Sequence, residues 1–416
     1  MDQESAFVRW IVILSFIASA FSSASPGAGA LAFVCPGVFI ALGIKRFVLP
    51  AKSNIPGGSV DALALSIALF IPIVGQIGSL FQSDLYGVSY AWLFLLLSAS
   101  IISLRLRISL EWILSQYVLA GVVTIFLFAV ASHTQLLAAL ARSSDSRGVA
   151  YRYAPLGMHP NLVGHVFGAY CVALFWAAMD AKKRVKQIVL GLTSAIALVM
   201  CAAASSRGGL FAAVAGILGS TFIYYSRSSK QLLRYAAICV FFIAAALLLS
   251  GSARTAVSDL LQLDSKFRGL NSGLTGRTAN WGILVTKISE SASVFFVGGG
   301  FRSAGLEQLG FDVDNSYLTI ILELGIPAFI LIMLRCIVIG LRMTSLIRRE
   351  GGKVNAAMMG ILIYFLLESV VARYMVAIGN PASMIFLCIL LLALGAPRAG
   401  RISNISKLPD QNLSSS

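Results

Sequence analysis

The sequence predicts an all-α, polytopic membrane bundle of about twelve spans, with a large outer loop of short helices. Three observations predict it. The 416 residues are 58% hydrophobic and only 12% charged, with a mean hydropathy of +0.87, whereas soluble domains carry roughly 25% charged residues. The apolar residues gather in runs close to the about 20 residues that a spanning helix needs. The runs do not alternate polar and apolar positions, as the strands of a membrane barrel would. Helices are the expected form, because backbone polar groups in lipid must be satisfied within their own segment.

The expected spans, in chain order, are residues 7–24, 28–44, 60–81, 87–104, 111–132, 161–179, 187–204, 208–225, 235–250, 316–341, 354–372 and 382–394. The first has the length of a signal peptide's apolar core, but the second follows almost at once, so it reads as a retained span. Residues 1–396 form one bundle that includes a large outer loop at 251–315. Residues 397–416 are polar and read as a disordered cytoplasmic tail.

Orientation follows from the basic residues. With both termini cytoplasmic, the inner segments hold 20 of the 32 Lys and Arg residues and the outer segments 11, with Arg335 left inside a span. Basic inner loops are the signature of the cytoplasmic side. The net charge of +15 therefore reflects topology. No nucleic-acid motif accompanies it. The outer arginines are the anomaly. They concentrate in the loops at 133–160 and 251–315, plus the turns at Arg207 and Arg373. An anionic ligand on that face would explain them.

The six cysteines (35, 171, 201, 239, 336 and 388) each sit inside an apolar run, and none forms a CxxC pair. They read as small buried hydrophobes rather than a metal or disulfide framework.

Four stretches carry candidate chemistry. Ser205-Ser206-Arg207-Gly208-Gly209 joins two spans. Its Arg suits a phosphate and its glycines allow backbone N–H groups to approach one, or it is a tight turn with a snorkelling Arg. Gly276-Arg277-Thr278-Ala279-Asn280-Trp281 opens an expected helix at 278–289, with Thr278 as its cap. An Arg at a helix N-terminus makes an anion site, and Trp281 fits an interfacial anchor. Gly298-Gly299-Gly300 lacks the Lys-Ser/Thr of a phosphate-binding loop and reads as a re-entry segment packing on the bundle. Asp314-Asn315-Ser316-Tyr317-Leu318 opens the tenth span, with Glu323-Leu324-Gly325 two turns further in. Asp314 is a general base or a helix cap. It comes near Arg277 if the loop folds back. Glu323 is an ionisable group inside a span, hence functional or paired. Glu368 and Arg373 are a further candidate pair. Among the histidines, His159 at the mouth of the sixth span is better placed for proton transfer than His165 or His133.

The order of these motifs resembles the O-antigen ligase and Wzy-type polysaccharide polymerase family. The resemblance rests on Ser206-Arg207-Gly208, Gly276-Arg277 through Trp281, Gly298–Gly300, and Asp314-Asn315 through Leu318 with Glu323-Leu324-Gly325. It covers roughly residues 160–340. It implies a metal-independent, inverting glycosyltransferase without a cofactor, on the outer face of a bacterial inner membrane. The donor it implies is an oligosaccharide on undecaprenyl pyrophosphate. A flippase and a chain-length regulator are the protein partners such an enzyme would have. On that reading Arg207, Arg277 and Arg302 face the pyrophosphate, Asp314 or His159 accepts the proton, and Asn315, Glu323 and Trp281 support them. Ligases of this family have His directly before the Asn of the last motif. This chain has Asp314 there, which favours a polymerase over a ligase. The competing class is a transporter or lipid-linked oligosaccharide flippase, which would line a mid-membrane path with charges such as Glu323, Arg335 and Glu368.

Overall fold

The computed structural model of the protein describes residues 3–22, 26–48, 61–104, 108–141, 152–226, 277–302 and 313–393. The expected span at 235–250, most of the large outer loop (with Arg254, Lys266 and Arg268), Arg142, Arg147, Cys239 and the tail lie outside the described residues.

Among the described residues every regular element is helical. The helices are α1 (Gln3–Phe21), α2 (Val34–Val48, preceded by a 3-10 stretch Pro26–Phe33), α3 (Ala62–Phe81), α4 (Leu85–Leu104), α5 (Leu110–Ala131), α6 (His133–Leu140), α7 (Pro160–Asp180), α8 (Arg184–Ala203) and α9 (Arg207–Tyr225). The large loop contributes α10 (Arg277–Glu290) and α11 (Ala292–Phe296). The chain then runs through α12 (Ser316–Glu350), α13 (Lys353–Glu368) and α14 (Pro381–Leu392). Seven of these (α3, α4, α5, α7, α8, α9 and α12) are long and apolar enough to cross a membrane, and three shorter apolar stretches add Ala6–Phe21, Gly29–Lys45 and Pro381–Leu392.

The helix boundaries have local causes. Asp61 caps α3 by accepting from Leu63 N at 3.0 Å, and Ser109 caps α5 by accepting from Trp112 N at 3.1 Å. Asn380 caps α14, with Pro381 in the first turn where its missing N–H costs nothing. Gly351 closes α12 in the left-handed conformation, behind Arg348 and Arg349 in the last turn.

The core sits around α7, which is buried along nearly its whole length and packs against α5, α8, α9 and α13. Lipid offers no hydrophobic drive to bring helices together, so close packing and interhelical hydrogen bonds must do it. Trp176 Nε1 donates to Ser220 Oγ at 2.8 Å, and Ser194 Oγ donates to Cys171 O at 2.9 Å. At Gly209 of α9 a β-carbon would meet the backbone of Gly164 at 2.7 Å, so the two helices touch main chain to main chain.

Two buried charged groups are tied down inside the bundle. Arg335 has no exposed surface. It donates to Leu390 O, in the last turn of α14, and to Asp61 Oδ2, both at 2.7 Å. Glu368 does not pair with Arg373 as expected. Its Oε2 lies 2.9 Å from Nδ1 of the fully buried His165, whose Nε2 lies 3.3 Å from Ser383 Oγ. This bond anchors the end of α13, which stops at Glu368 instead of running on to 372.

The 35-residue α12 is broken rather than straight. Gly325 has φ 77° and ψ 168°, and Pro327 follows inside the helix. Proline has no N–H, so the carbonyl of Glu323 loses its helical donor. The glycine segment supplies replacements: Gly299 N donates to Leu322 O at 2.8 Å, and Gly300 N to Glu323 O at 2.9 Å. Gly300 has φ 89°, and any β-carbon on it would strike Ser79 of α3. The expected re-entry segment therefore does pack on the bundle, and its role is to satisfy a broken helix. Phe301 follows it into the core, with ring centroids 5.6 Å from Phe94 and 5.3 Å from Tyr90.

Candidate functional site

The N-termini of four helices gather at one end of the bundle. The turn between α8 and α9 comes first. Ser205 takes a left-handed φ of 50°, an uncommon conformation for a residue with a side chain. It and Ser206 are buried, which leaves Arg207 as the first residue of α9. A positive side chain opposes the helix dipole at that position, so helix stability does not explain it. The segment before α7 packs on this turn: Tyr153 N donates to Ala203 O at 3.0 Å and Arg152 Nε to Ala204 O at 2.9 Å. Arg152 also reaches Asn161 Oδ1 at 3.3 Å.

His159 thereby comes to the same end of the bundle. It is exposed and caps α7, its Nδ1 accepting from Asn161 N at 3.3 Å. A neutral ring that accepts at Nδ1 carries its proton on Nε2. In that form His159 presents a donor, not a base.

Arg277 begins α10, so Thr278 lies inside the first turn instead of capping the helix. The inner face of α10, Leu284 and Ile288, packs with Val313 and Leu322 in a small apolar cluster over the first leg of α12. This packing brings Arg277 onto Asp314. Nε and Nη2 stand 3.0 and 2.9 Å from the same oxygen, Oδ2. The charge of Arg277 also acts on Arg207, so two guanidinium groups and one carboxylate share a small volume.

Asp314 is not the cap of α12. That role falls to Asn315, whose side chain accepts from Leu318 N at 3.0 Å and donates to Val370 O at 3.1 Å. Ser316 N donates to Ser369 O at 2.8 Å, and Ser316 Oγ to Ala372 O at 2.5 Å. The start of α12 is thus bolted to the loop at 369–380. The same loop touches α9, because Val371 lies against Gly208. It carries Arg373 and Tyr374. Burial pushes the Tyr374 hydroxyl above its ordinary value against the pull of Arg373, which leaves it a neutral donor at pH 7.

Arg302 stands apart from the Arg207–Arg277 pair. Its backbone has φ 46°. Its N–H donates to Glu323 Oε1 at 3.1 Å, Nη1 donates to Tyr86 Oη at 3.2 Å, and the guanidinium lies 5.3 Å from the Tyr90 ring centroid. Arg302, Glu323, Arg373 and Tyr374 line a cavity of about 260 Å³. Trp281 is half-buried on α10, one turn from Arg277, and its Nε1 makes no hydrogen bond among the described residues.

Residues 192–333 match the family model described as O-antigen ligase. This agrees with the motif order. The matched segment runs from α8 into α12 and takes in Arg207, Arg277, Trp281, Arg302, Asp314, Asn315 and Glu323. It leaves out His159, Arg373 and Tyr374. No curated protein matches the chain.

Sequence reasoning missed Tyr374 altogether and counted Arg373 only as an outer arginine with Glu368 as its partner. The available signal was a second arginine in a short outer turn, beside an aromatic residue. Among the described residues no three His, Cys, Asp or Glu side chains gather as a metal-binding cluster.

Proposed function

We propose that the protein is a membrane glycosyltransferase that polymerises undecaprenyl-pyrophosphate-linked oligosaccharide repeats on the periplasmic face of a bacterial inner membrane. One observation carries the reading: Arg277 at the start of one helix holds Asp314, and its charge acts on Arg207 at the start of another, inside the segment that matches the ligase family. Helix N-termini and arginines together favour a phosphorylated ligand.

The reaction is a displacement. The hydroxyl oxygen of the acceptor sugar attacks the anomeric carbon of the donor. The new C–O bond forms as the bond from that carbon to the phosphate oxygen breaks, with inversion. The lipid pyrophosphate leaves with the electron pair. Arg207 and Arg277 stabilise the charge that develops on it. The hydroxyl proton goes to Asp314 through Oδ1, since Oδ2 is held by Arg277. This sequence of steps calls on no metal and no cofactor. Arg302, held by the two tyrosines, does not belong to the leaving-group set in this reading. A flippase to deliver the repeat and a chain-length regulator are the partners it calls for.

Two features weigh against a transporter. Two of the three buried charges that would line a path are tied in pairs, Arg335 to Asp61 and Glu368 to His165, and the third, Glu323, accepts the Arg302 N–H. The remaining arginines stand at the end of the bundle.

The ligase reading is favoured by the description of the matched family. The two differ in what accumulates on loss of the gene: single lipid-linked repeats for a polymerase, long lipid-linked chains for a ligase. For the enzyme reading as such, Arg277→Ala is introduced in a strain that makes the polymer. Long chains at the normal level, with the variant at normal abundance, would sink the role given to Arg277.

A further inference from the structure

The cavity beside the arginine pair has no part in the leaving-group chemistry. Its walls are unlike an anion site or a lipid portal. Arg302 and Arg373 bring donors, Glu323 accepts, Tyr374 offers a hydroxyl, and the Tyr90 and Phe301 rings line it. A second phosphate would meet the Glu323 carboxylate as a like charge, and an acyl chain would strand the charged groups. A sugar ring fits both kinds of wall. Its hydroxyls donate and accept at once, and its C–H face lies against an aromatic ring.

We infer that this cavity is the subsite for the terminal sugar of the acceptor, and that Glu323 is the group that hydrogen-bonds the sugar there. The inference rests on the transferase reading above and names the place of its second substrate.

Four observations support it. First, Glu323 is only 8% exposed. Its Oε1 is occupied by the Arg302 N–H, and Oε2 makes no hydrogen bond among the described residues. An acceptor left open in a cavity wall is satisfied by a ligand or by water. Second, the surrounding groups are already fixed. Arg302 is pinned by Tyr86 and Tyr90, and the Glu323 backbone is pinned by Gly300. A site whose polar groups are held before binding loses less on binding. Third, the volume of about 260 Å³ is just below the roughly 300 Å³ at which drug-sized pockets begin. That suits one ring better than a whole oligosaccharide. Fourth, Tyr374 and Val313, the residue before Asp314, line the cavity. A sugar held there therefore lies next to the carboxylate that takes the hydroxyl proton.

The test uses the full chain in lipid nanodiscs. Wild type, Glu323→Gln, Ala377→Trp and Arg277→Ala are each titrated with two probes. One is inorganic pyrophosphate. The other is the repeat oligosaccharide, freed from its lipid by mild acid, from cells that make the polymer. Glu323→Gln removes the charge and keeps the shape. Ala377→Trp fills the cavity from its wall. The expected result is oligosaccharide binding weakened roughly tenfold or more in both, with pyrophosphate binding unchanged. Arg277→Ala should show the reverse. Unchanged oligosaccharide binding in Glu323→Gln, with pyrophosphate binding intact, overturns the subsite and leaves the transferase reading standing. Wild type that binds pyrophosphate and no oligosaccharide has the same meaning. Wild type that binds neither probe removes the transferase reading, and the subsite with it. If Ala377→Trp misfolds and loses pyrophosphate binding too, Glu323→Gln decides alone.

Discussion

Arg277 holds Asp314 by a single oxygen: both Nε and Nη2 bond Oδ2, at 3.0 and 2.9 Å. The arrangement is not the parallel fork in which each guanidinium nitrogen takes its own oxygen. It leaves Oδ1 without a hydrogen bond among the described residues, on a side chain that is 25% exposed. Structural pairs of Arg and carboxylate frequently use both oxygens. This one keeps half of its carboxylate in reserve, a few residues from the cavity.

The pair predicts a separation between neighbours. Asp314→Asn should slow polymer formation by about 10²-fold, the scale of a lost general base. It should change thermal stability by less than about 1 kcal/mol, because the pair is partly exposed. Asn315→Ala should do the opposite to stability. It loses the cap of α12 and the bond to Val370, and should cost about 1–2 kcal/mol. Melting curves in detergent, set beside polymer yield, check both. A stability loss in Asp314→Asn as large as that in Asn315→Ala would make Asp314 structural.

The buried pair at the end of α13 predicts a stability defect away from the arginines. Glu368→Ala leaves His165 without its partner in a site that excludes water. Leaving a buried hydrogen-bonding group without its partner costs about 1–3 kcal/mol. The end of α13 should loosen, and with it the loop that carries Arg373 and Tyr374. Thermal unfolding and limited proteolysis of residues 369–380 report the two effects. An unchanged melting temperature would count against the pairing.

Gly300 has neither the room nor the backbone angle for a side chain. Gly300→Ala should cost about 1–3 kcal/mol in strain alone, and more if the segment withdraws from Ser79 and leaves the Glu323 carbonyl bare. Gly282, with nothing near its β-position, is the control. Gly282→Ala should be neutral or slightly stabilising, since it sits inside α10. Melting temperatures of the two variants give the comparison.

The charge pattern predicts the sidedness of the whole molecule. The described cysteines are all buried, so an introduced exposed cysteine can be read against a low background. In intact spheroplasts a membrane-impermeant maleimide should label Ala279→Cys, beside Arg277. It should not reach Lys182→Cys, in the basic turn between α7 and α8, until the cells are opened. Labelling of Lys182→Cys first would invert the topology and remove the periplasmic assignment of the site.

Much of the candidate site could be named along the chain, for a physical reason. An arginine on the wrong side of a positive-inside pattern, or one at the first turn of a helix, is locally costly, and such costs show in the sequence. Arg207 and Arg277 stood out in that way. The relation between residues did not show. Asp314 and Asn315 are adjacent, and both are good caps by type. Which of them caps depends on where α10 places Arg277. Glu368 and Arg373 are close in number, yet Glu368 turns inward to His165, 203 positions away. Arg302 looked equivalent to Arg207 and Arg277 by composition. Its place between Tyr86 and Tyr90 comes from the docking of the glycine segment on α3 and α4.

Hydropathy, charge bias and motif order are properties of neighbouring residues. They by themselves pointed to a helical membrane protein whose motifs resemble those of the O-antigen ligase family. Partner choice across the bundle belongs to tertiary packing. Pro327 removes a donor from α12, but nothing near it in sequence says that Gly300 will replace that donor. That bond exists only because α3, the glycine segment and the broken helix meet, and it is what sets Glu323 at the cavity wall.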